Sequence, residues 1–131
     1  MRIKLFAIYI AAVFLALSCA SGPANIPDGL SPMELIQLAQ EASDRNRFNT
    51  ALQYYEAILV RYPNDIDSIC AAEYEIAFIH YKQRRYDTAR EGFNNLLARY
   101  DVPDGALLPQ QFRILSNIVL ARIDELEAPR R

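Results

Sequence analysis

The chain has 131 residues, of which 52% are hydrophobic, and its 14 basic and 16 acidic side chains give a formal net charge of −2. This length predicts one modest domain with a hydrophobic core. The slightly acidic balance excludes a general electrostatic attraction to nucleic acid, so we expect no nucleic-acid partner.

Residues 1–18 have the pattern of an export signal. Arg2 and Lys4 precede an uncharged apolar run over 5–17, which is too short to span a bilayer comfortably. The junction LALSC at 15–19 resembles the lipobox of bacterial lipoproteins. This resemblance implies that Cys19 becomes the lipid-modified first residue of the mature chain. An ordinary signal with an incidental cysteine is the alternative.

Residues 19–30 are rich in proline, glycine and small residues and show no periodicity. They predict a flexible tether between the lipid and the domain. A helix then begins with Ser31 as N-cap, Pro32 at the first helical position and Glu34 completing a capping box. Asn46 suits the left-handed residue that ends this helix.

One stretch of the chain occurs twice. The sequence FNTALQYYEAILVRY at 48–62 returns at 86–100 as YDTAREGFNNLLARY, with small, aromatic and aliphatic positions at equal spacing. Within each copy the apolar positions recur at steps of three and four, which is the pattern of the buried face of an amphipathic helix. The repeat therefore predicts one helical unit that is used twice.

Two further helices complete a predicted domain over 31–127, and residues 128–131 form a tail. A helix over about 68–84 is apolar around much of its circumference, which indicates a central position. A last helix over about 107–127 carries one apolar stripe, formed by Leu108, Phe112, Leu115, Val119, Ile123 and Leu126. We expect this last helix to cover the end of the stack.

The small residues Ala39, Ala77 and Ser116 are 38 and 39 residues apart and allow neighbouring helices to touch. Together with the aromatic positions Tyr55 and Phe93, this spacing is similar to that of tetratricopeptide repeats, with a period longer than the usual value of about 34 residues. The resemblance implies an all-α fold: two tetratricopeptide-like helix hairpins plus a C-terminal capping helix, in a short α-solenoid.

The sequence carries no phosphate loop, dinucleotide fingerprint, nucleophile elbow or metal-binding cluster. His80 is the only histidine. It falls on the interior side of its predicted helix, where we expect a hydrogen-bonded core histidine. Cys70 lies in an apolar stretch and is expected to be a small buried residue. We therefore expect no enzyme activity, no catalytic or metal-binding residue and no cofactor.

Tetratricopeptide arrays commonly bind extended segments along the face made by the first helix of each pair. By that resemblance, the candidate partner-binding residues are Ile36, Gln37, Gln40, Tyr74, Phe78 and Tyr81. The three aromatic residues are spaced to share one helical face, and aromatic side chains supply much of the binding energy at interfaces. The same spacing fits packing against neighbouring helices, so the sequence leaves both roles open.

A lipobox, a tether and lengthened repeats that end in Tyr62-Pro63-Asn64 look like the BamD-type lipoproteins of outer-membrane β-barrel assembly, which usually carry more repeats. The resemblance implies a lipid-anchored scaffold in the cell envelope, on the outer membrane and facing the periplasm. Its implied partners are other envelope proteins, such as the barrel-assembly subunit or unfolded barrel substrates. A general adaptor lipoprotein for cell-wall, division or secretion proteins is the alternative.

Replacing Cys19 with Ser should move the protein from the membrane fraction to the soluble fraction. Each buried methylene of an acyl chain contributes about 0.8 kcal/mol, so a multiply acylated cysteine anchors durably and its loss releases the domain. Fractionation of cells that produce each variant measures this, with Cys70→Ser as the matched control that should stay membrane-bound. A Cys19→Ser protein that remains in the membrane fraction would place the anchor elsewhere.

Overall fold

The computed structural model describes residues 25–129. The α-helices in this part of the chain are α1 (Pro32–Asp44), α2 (Phe48–Arg61), α3 (Ile66–Lys82), α4 (Tyr86–Ala98) and α5 (Gln110–Glu127). Two short 3₁₀-helices, Arg99–Asp101 and Pro103–Leu107, precede α5. Short connections make α1 with α2, and α3 with α4, antiparallel hairpins, and α5 packs on the second hairpin. The predicted all-α solenoid of two hairpins plus a covering helix is therefore confirmed.

The first helix begins at the predicted capping box. The hydroxyl and the backbone N–H of Ser31 donate to the carboxylate of Glu34 at 2.6 and 2.8 Å, and these bonds hold the pKa of Glu34 below its ordinary value. Asn46 follows α1 in the left-handed conformation, with φ of 57°, as expected of a helix terminator. At the start of α3, the Asp65 carboxylate accepts the backbone N–H of Ser68 at 3.2 Å.

Three helix boundaries differ from the sequence prediction, and the first is the start of α3, which lies at Ile66 instead of about residue 68. The helix α3 ends at Lys82 because Arg84 takes a left-handed φ of 60°, at the place in the second hairpin that Asn46 occupies in the first. The helix α5 begins three residues later than expected because Leu108 precedes Pro109. Leu108 is held extended, with ψ of 155°, which is the conformation that a following proline favours.

The hairpins have separate cores. The first core joins α1, α2 and one face of α3 and consists of Leu35, Ala39, Ala42, Ala51, Tyr55, Ile58, Ala72 and Ile79. The second core joins the opposite face of α3 to α4 and α5 and consists of Cys70, Tyr74, Ala77, Ala89, Phe93, Leu96, Tyr100, Val119 and Ile123. Because α3 contributes to both cores, the central position predicted from its apolar circumference is confirmed.

The close contact between paired helices depends on small residues. Ala39, Ala51, Ala77 and Ala89 are fully buried. A Cβ atom added to Gly92 would lie 2.9 Å from the Cβ atom of Ala77, which is closer than the optimal separation of two carbon atoms, about 3.5–4.0 Å. Glycine therefore lets α4 lie against α3, although on helix propensity alone it costs about 1 kcal/mol relative to alanine.

The helix α5 covers the second core with a stripe that differs from the predicted one. Its residues that are buried or packed against this core are Phe112, Ser116, Val119, Leu120 and Ile123. The prediction was wrong for Leu115 and Leu126, which are 39% and 47% exposed. Both lie beside the buried stripe and not in it, and no helix of residues 25–129 follows α5.

The last residues of the predicted tether contact the first hairpin. The guanidinium of Arg61 donates to the backbone carbonyls of Ile26 and Pro27 at 3.1 and 2.8 Å, and the hydroxyl of Tyr62 donates to the carbonyl of Leu30. These bonds fix this part of the segment against the C-terminal end of α2. It therefore differs from the flexible coil that its composition predicts.

The remaining predictions for the N-terminus fall outside the described residues. The export signal over 1–18 and the lipidation site Cys19 precede the described part of the chain, and residues 130–131 of the tail follow it. Between residues 25 and 129, none of the helices has the length and apolar character needed to cross a membrane.

Replacing Gly92 with Ala should lower the free energy of unfolding, although alanine is the better helix former. The new methyl group meets Ala77, and overpacking of this kind costs about 1–3 kcal/mol, which exceeds the gain of about 1 kcal/mol in helix propensity. Urea denaturation of Gly92→Ala, Ala77→Gly and the double variant measures the coupling between the two positions. The double variant should lose less stability than the two single variants lose together. A Gly92→Ala protein that is stabilised by about the full propensity gain would contradict the close contact.

Candidate protein-binding groove

A groove runs between the first helix of each hairpin and α5. The N-terminal halves of α1, α3 and α5 lie side by side and leave a volume of about 450 Å³. The lining residues, which we call the groove residues, are Met33, Ile36, Asp67, Ser68, Ala71, Leu107, Pro109, Gln111 and Phe112. Every helix that begins a repeat unit thus contributes to one surface.

Equivalent positions of the repeat line this groove. Met33 of α1 and Ala71 of α3 are 38 residues apart, the distance that also separates Ala39 from Ala77. In the central helix this position is alanine, whose small side chain leaves the space between α1 and α5 unfilled. Neither residue is among the binding residues predicted from the sequence, although the repeat distance relates them.

Most of the groove is apolar. Ile36, Ala71 and Phe112 are partly buried, whereas Met33 and Leu107 are 71% and 83% exposed. Large apolar side chains that lie exposed around one depression are characteristic of a surface that binds another molecule. The groove therefore suits the apolar side chains of a bound segment.

One edge of the groove is polar. Asp67 lies in the first turn of α3, where the positive end of the helix dipole stabilises a carboxylate. Ser68 donates its hydroxyl to Asp65 at 2.8 Å, and Gln111 is exposed at the start of α5. The carboxylate of Asp67 accepts hydrogen bonds, and the amide of Gln111 both donates and accepts them. This edge therefore suits polar groups that lie beside the apolar part of a bound segment.

The structure places the predicted α1 residues at different positions relative to the groove. Ile36 lines it. Gln37 and Gln40 are exposed on the same helix, outside the set of groove residues, and the Nε2 atom of Gln37 donates to Glu41 at 3.2 Å. Partner binding by these two glutamines stays a prediction.

Tyr74 packs in the second core and supports a wall of the groove. It is only 7% exposed, and its ring centroid lies 5.7 Å from each of the ring centroids of Phe78, Phe93 and Phe112. Burial raises the pKa of Tyr74 to about 12, and the negative charge of Glu75 adds to the shift. For Tyr74 the geometry thus fits core packing, one of the two roles that the sequence left open.

Phe78 and Tyr81 continue this aromatic row along α3. Their ring centroids are 5.6 Å apart, and both residues are partly buried against the second core. The ammonium nitrogen of Lys82 lies 5.4 Å from the ring centroid of Phe78 and 5.2 Å from that of Phe48, within the range of cation–π attraction. These contacts tie α3 to α2, and contact of Phe78 or Tyr81 with a partner stays a prediction.

The thiol of Cys70 and the imidazole of His80 are not among the groove residues. Cys70 is fully buried, and burial raises the pKa of its thiol. His80 is partly buried, and burial together with the positive charge of Arg85 lowers its pKa. Within residues 25–129, His, Cys, Asp and Glu side chains do not gather in any group of three or more that could hold a metal ion.

Comparisons with known proteins give two relatives. The chain is 33% identical over 113 residues to an uncharacterized protein of Treponema pallidum, an alignment that covers 85% of this chain and 45% of that protein. It is 32% identical over 109 residues to the tetratricopeptide repeat and J domain-containing co-chaperone DNJ1 of Fusarium oxysporum f. sp. lycopersici, which covers 82% of this chain and 20% of the co-chaperone. The chain thus spans less than half the length of either relative.

No protein-family model matches the chain, and no solved structure matches it. The paired helices and the similarity to a tetratricopeptide repeat co-chaperone together make this a tetratricopeptide-like protein. The general function of such a fold is to bind other proteins.

Replacing Tyr74 with Ala should lower the free energy of unfolding by about 3–5 kcal/mol, the cost of removing a large aromatic side chain from a core. Urea denaturation followed by far-UV circular dichroism measures the change. Gln37→Ala on the exposed side of α1 is the control and should change the stability by less than about 0.5 kcal/mol. Equal stabilities of the two variants would return Tyr74 to the set of candidate binding residues.

Proposed function

We propose that this protein is an adaptor that binds an extended segment of a partner protein in the groove between α1, α3 and α5. The observation that carries the proposal is the position of the groove: an apolar depression of about 450 Å³ that crosses all three first helices. A segment that lies across these helices meets the same repeat position in α1 and α3, at Met33 and Ala71, and then Gln111 and Phe112 of α5. The repeat architecture thus makes one continuous surface from units that are too small to bind alone.

The groove residues favour a particular chemistry in the bound segment. Two exposed apolar side chains, Met33 and Leu107, and the partly buried Phe112 favour aliphatic or aromatic anchors. Asp67 favours a lysine, an arginine or a backbone N–H next to those anchors. We therefore propose a partner segment that is apolar with a basic residue beside its anchor.

Binding without catalysis is part of the proposal. Cys70 is fully buried and lies in the second core. His80 lies outside the set of groove residues. Neither of these side chains is positioned beside a segment in the groove, so the bound partner would be held and not modified.

The finer proposal is a place in the cell envelope. The junction at 15–19 and Cys19 support a lipid-anchored protein, and the lengthened repeats resemble the BamD-type lipoproteins that act on the outer membrane, facing the periplasm. A barrel-assembly subunit or an unfolded barrel protein would then be the partner. A lipid anchor would also raise the effective concentration of the groove for other membrane-bound proteins. A general adaptor for cell-wall, division or secretion proteins is the second form of this proposal.

Photo-crosslinking from the groove tests both the proposed binding site and the proposed class of partner. A photoreactive phenylalanine analogue at Met33 or at Leu107 should form crosslinked species of higher mass in intact cells, because both side chains are exposed at the groove. The same analogue at Val60 is the matched control, since Val60 is 79% exposed on α2 and is not a groove residue. We expect at least several-fold more crosslinking from the groove positions than from Val60.

The identity of the crosslinked protein then separates the finer alternatives. A barrel-assembly subunit or an unfolded barrel protein would support the outer-membrane assembly role, and a cell-wall, division or secretion protein would support the general adaptor. Equal crosslinking from the three positions, or none from the groove positions, would show that the groove is not where a partner binds.

A further inference from the structure

The last helix covers one side of the stack and leaves its own opposite side open. The central helix α3 packs one face on the first core through Ala72 and Ile79, and its opposite face on the second core through Tyr74 and Ala77. The helix α5 follows α4 as α3 follows α2, and it buries only the face that looks back at the preceding hairpin. It stands where the first helix of a third unit would stand.

The open side of α5 is apolar at its centre. Ile114, Leu115 and Ile118, which we call the outer face of α5, are 59%, 39% and 60% exposed. No helix of residues 25–129 packs on this side of α5, and three large apolar side chains exposed together on one helix indicate a surface that another molecule covers. Arg90 of α4 holds α5 against the second hairpin through ion pairs with Asp124 and Glu127 at 2.6 and 2.7 Å.

Ile114 and Ile118 of the outer face belong to a stripe with the spacing of a helix–helix seam. Gln111, Ile114, Ile118, Ala121 and Glu125 follow one another at steps of three, four, three and four, and all five are exposed. This is the spacing at which residues of one helix meet a single neighbouring helix along its whole length. The seam has two isoleucines at its centre, a small residue next to them and one polar residue at each end.

We propose that the occupant of this seam is the α5 helix of a second copy of the chain, antiparallel to the first. A two-fold axis through Ile118 places that residue against its own copy. Ile114 then faces Ala121, so a large side chain meets a small one on both sides of the axis.

The polar ends of the seam also match in this arrangement. Gln111 of each copy faces Glu125 of the other, and an amide N–H donates to a carboxylate. Glu125 already accepts from Arg122 of its own helix through Oε2 at 2.7 Å, which leaves its second oxygen for the amide. A parallel arrangement would set Glu125 against Glu125, and like charges at that distance repel.

The size of the seam sets the strength of the dimer. A helix of 18 residues is about 27 Å long, and one pair of such helices forms an interface near the lower limit of about 1,000 Å² for specific association. We therefore expect a reversible dimer that forms at micromolar concentrations and dissociates on dilution. A closed two-fold contact covers both outer faces at once and ends the assembly at two copies.

Sedimentation velocity over about 1–100 µM spans the micromolar range expected for an interface of this size. In a Cys19→Ser background, which removes the proposed lipid anchor, the otherwise unmodified protein should change from monomer to dimer across this range. Ile118→Glu, which puts two carboxylates on the two-fold axis, should remain monomeric, and Val60→Glu, an equally drastic change at a 79% exposed residue of α2, should dimerise as the unmodified protein does. A monomer at every concentration would overturn the proposal, and so would an Ile118→Glu protein that still dimerises.

The position of the axis has its own test. In a Cys19→Ser background, the thiols of Ile118→Cys meet across the axis and should form a disulfide-linked dimer under mild oxidation, whereas Val60→Cys should not, and Cys70 is buried. Equal disulfide formation at both positions would overturn the antiparallel pairing. Both tests read self-association alone, so they do not depend on whether crosslinks form in the groove.

Discussion

The structure depends on how closely two helices approach at their small residues. Ala39, Ala51, Ala77 and Ala89 are fully buried, and Gly92 has no room for a side chain against Ala77. Because each hairpin closes at these points, its first helix is held at a fixed distance from its second. The first helices then line up along one side of the stack, and the groove follows from that alignment. A larger residue at these contacts would therefore change the groove as well as the stability.

The central helix explains why the conspicuous aromatic residues serve the fold. α3 has a core on each side, and Tyr74, Phe93 and Phe112 fill the space between α3, α4 and α5. A helix in this position has only a narrow strip left for a partner. The strip contains Ala71, whose methyl group provides little contact area. Contact with a partner is thus left to side chains on either side of it, such as Met33 and Leu107.

Sequence patterns predicted the local structure well and the assignment of faces less well. The capping box at Ser31, the left-handed residue at Asn46 and the repeated helices are encoded by neighbouring residues, and the structure has them as predicted. The sequence could not decide whether Tyr74 packs in the core or binds a partner, or whether Leu115 is buried. A helical period shows which residues share a face, and it does not show what covers that face. Both roles follow from the number of helices packed around each element, which is a property of the whole stack. The groove was found only in part for the same reason.

The groove and the proposed two-fold contact share Gln111 and otherwise lie on different parts of the stack. The groove extends from Met33 on α1 to Phe112 on α5, whereas the proposed two-fold contact uses the outward side of α5 around Ile118. The α1 end of the groove lies on the other side of α3 from that contact, so pairing at α5 leaves the groove open at that end. A dimer would then present two grooves in a fixed relation, and a partner with two apolar segments would bind the second groove as an intramolecular step. In such a pair, binding that is weak at each short groove becomes strong for a partner with repeated segments.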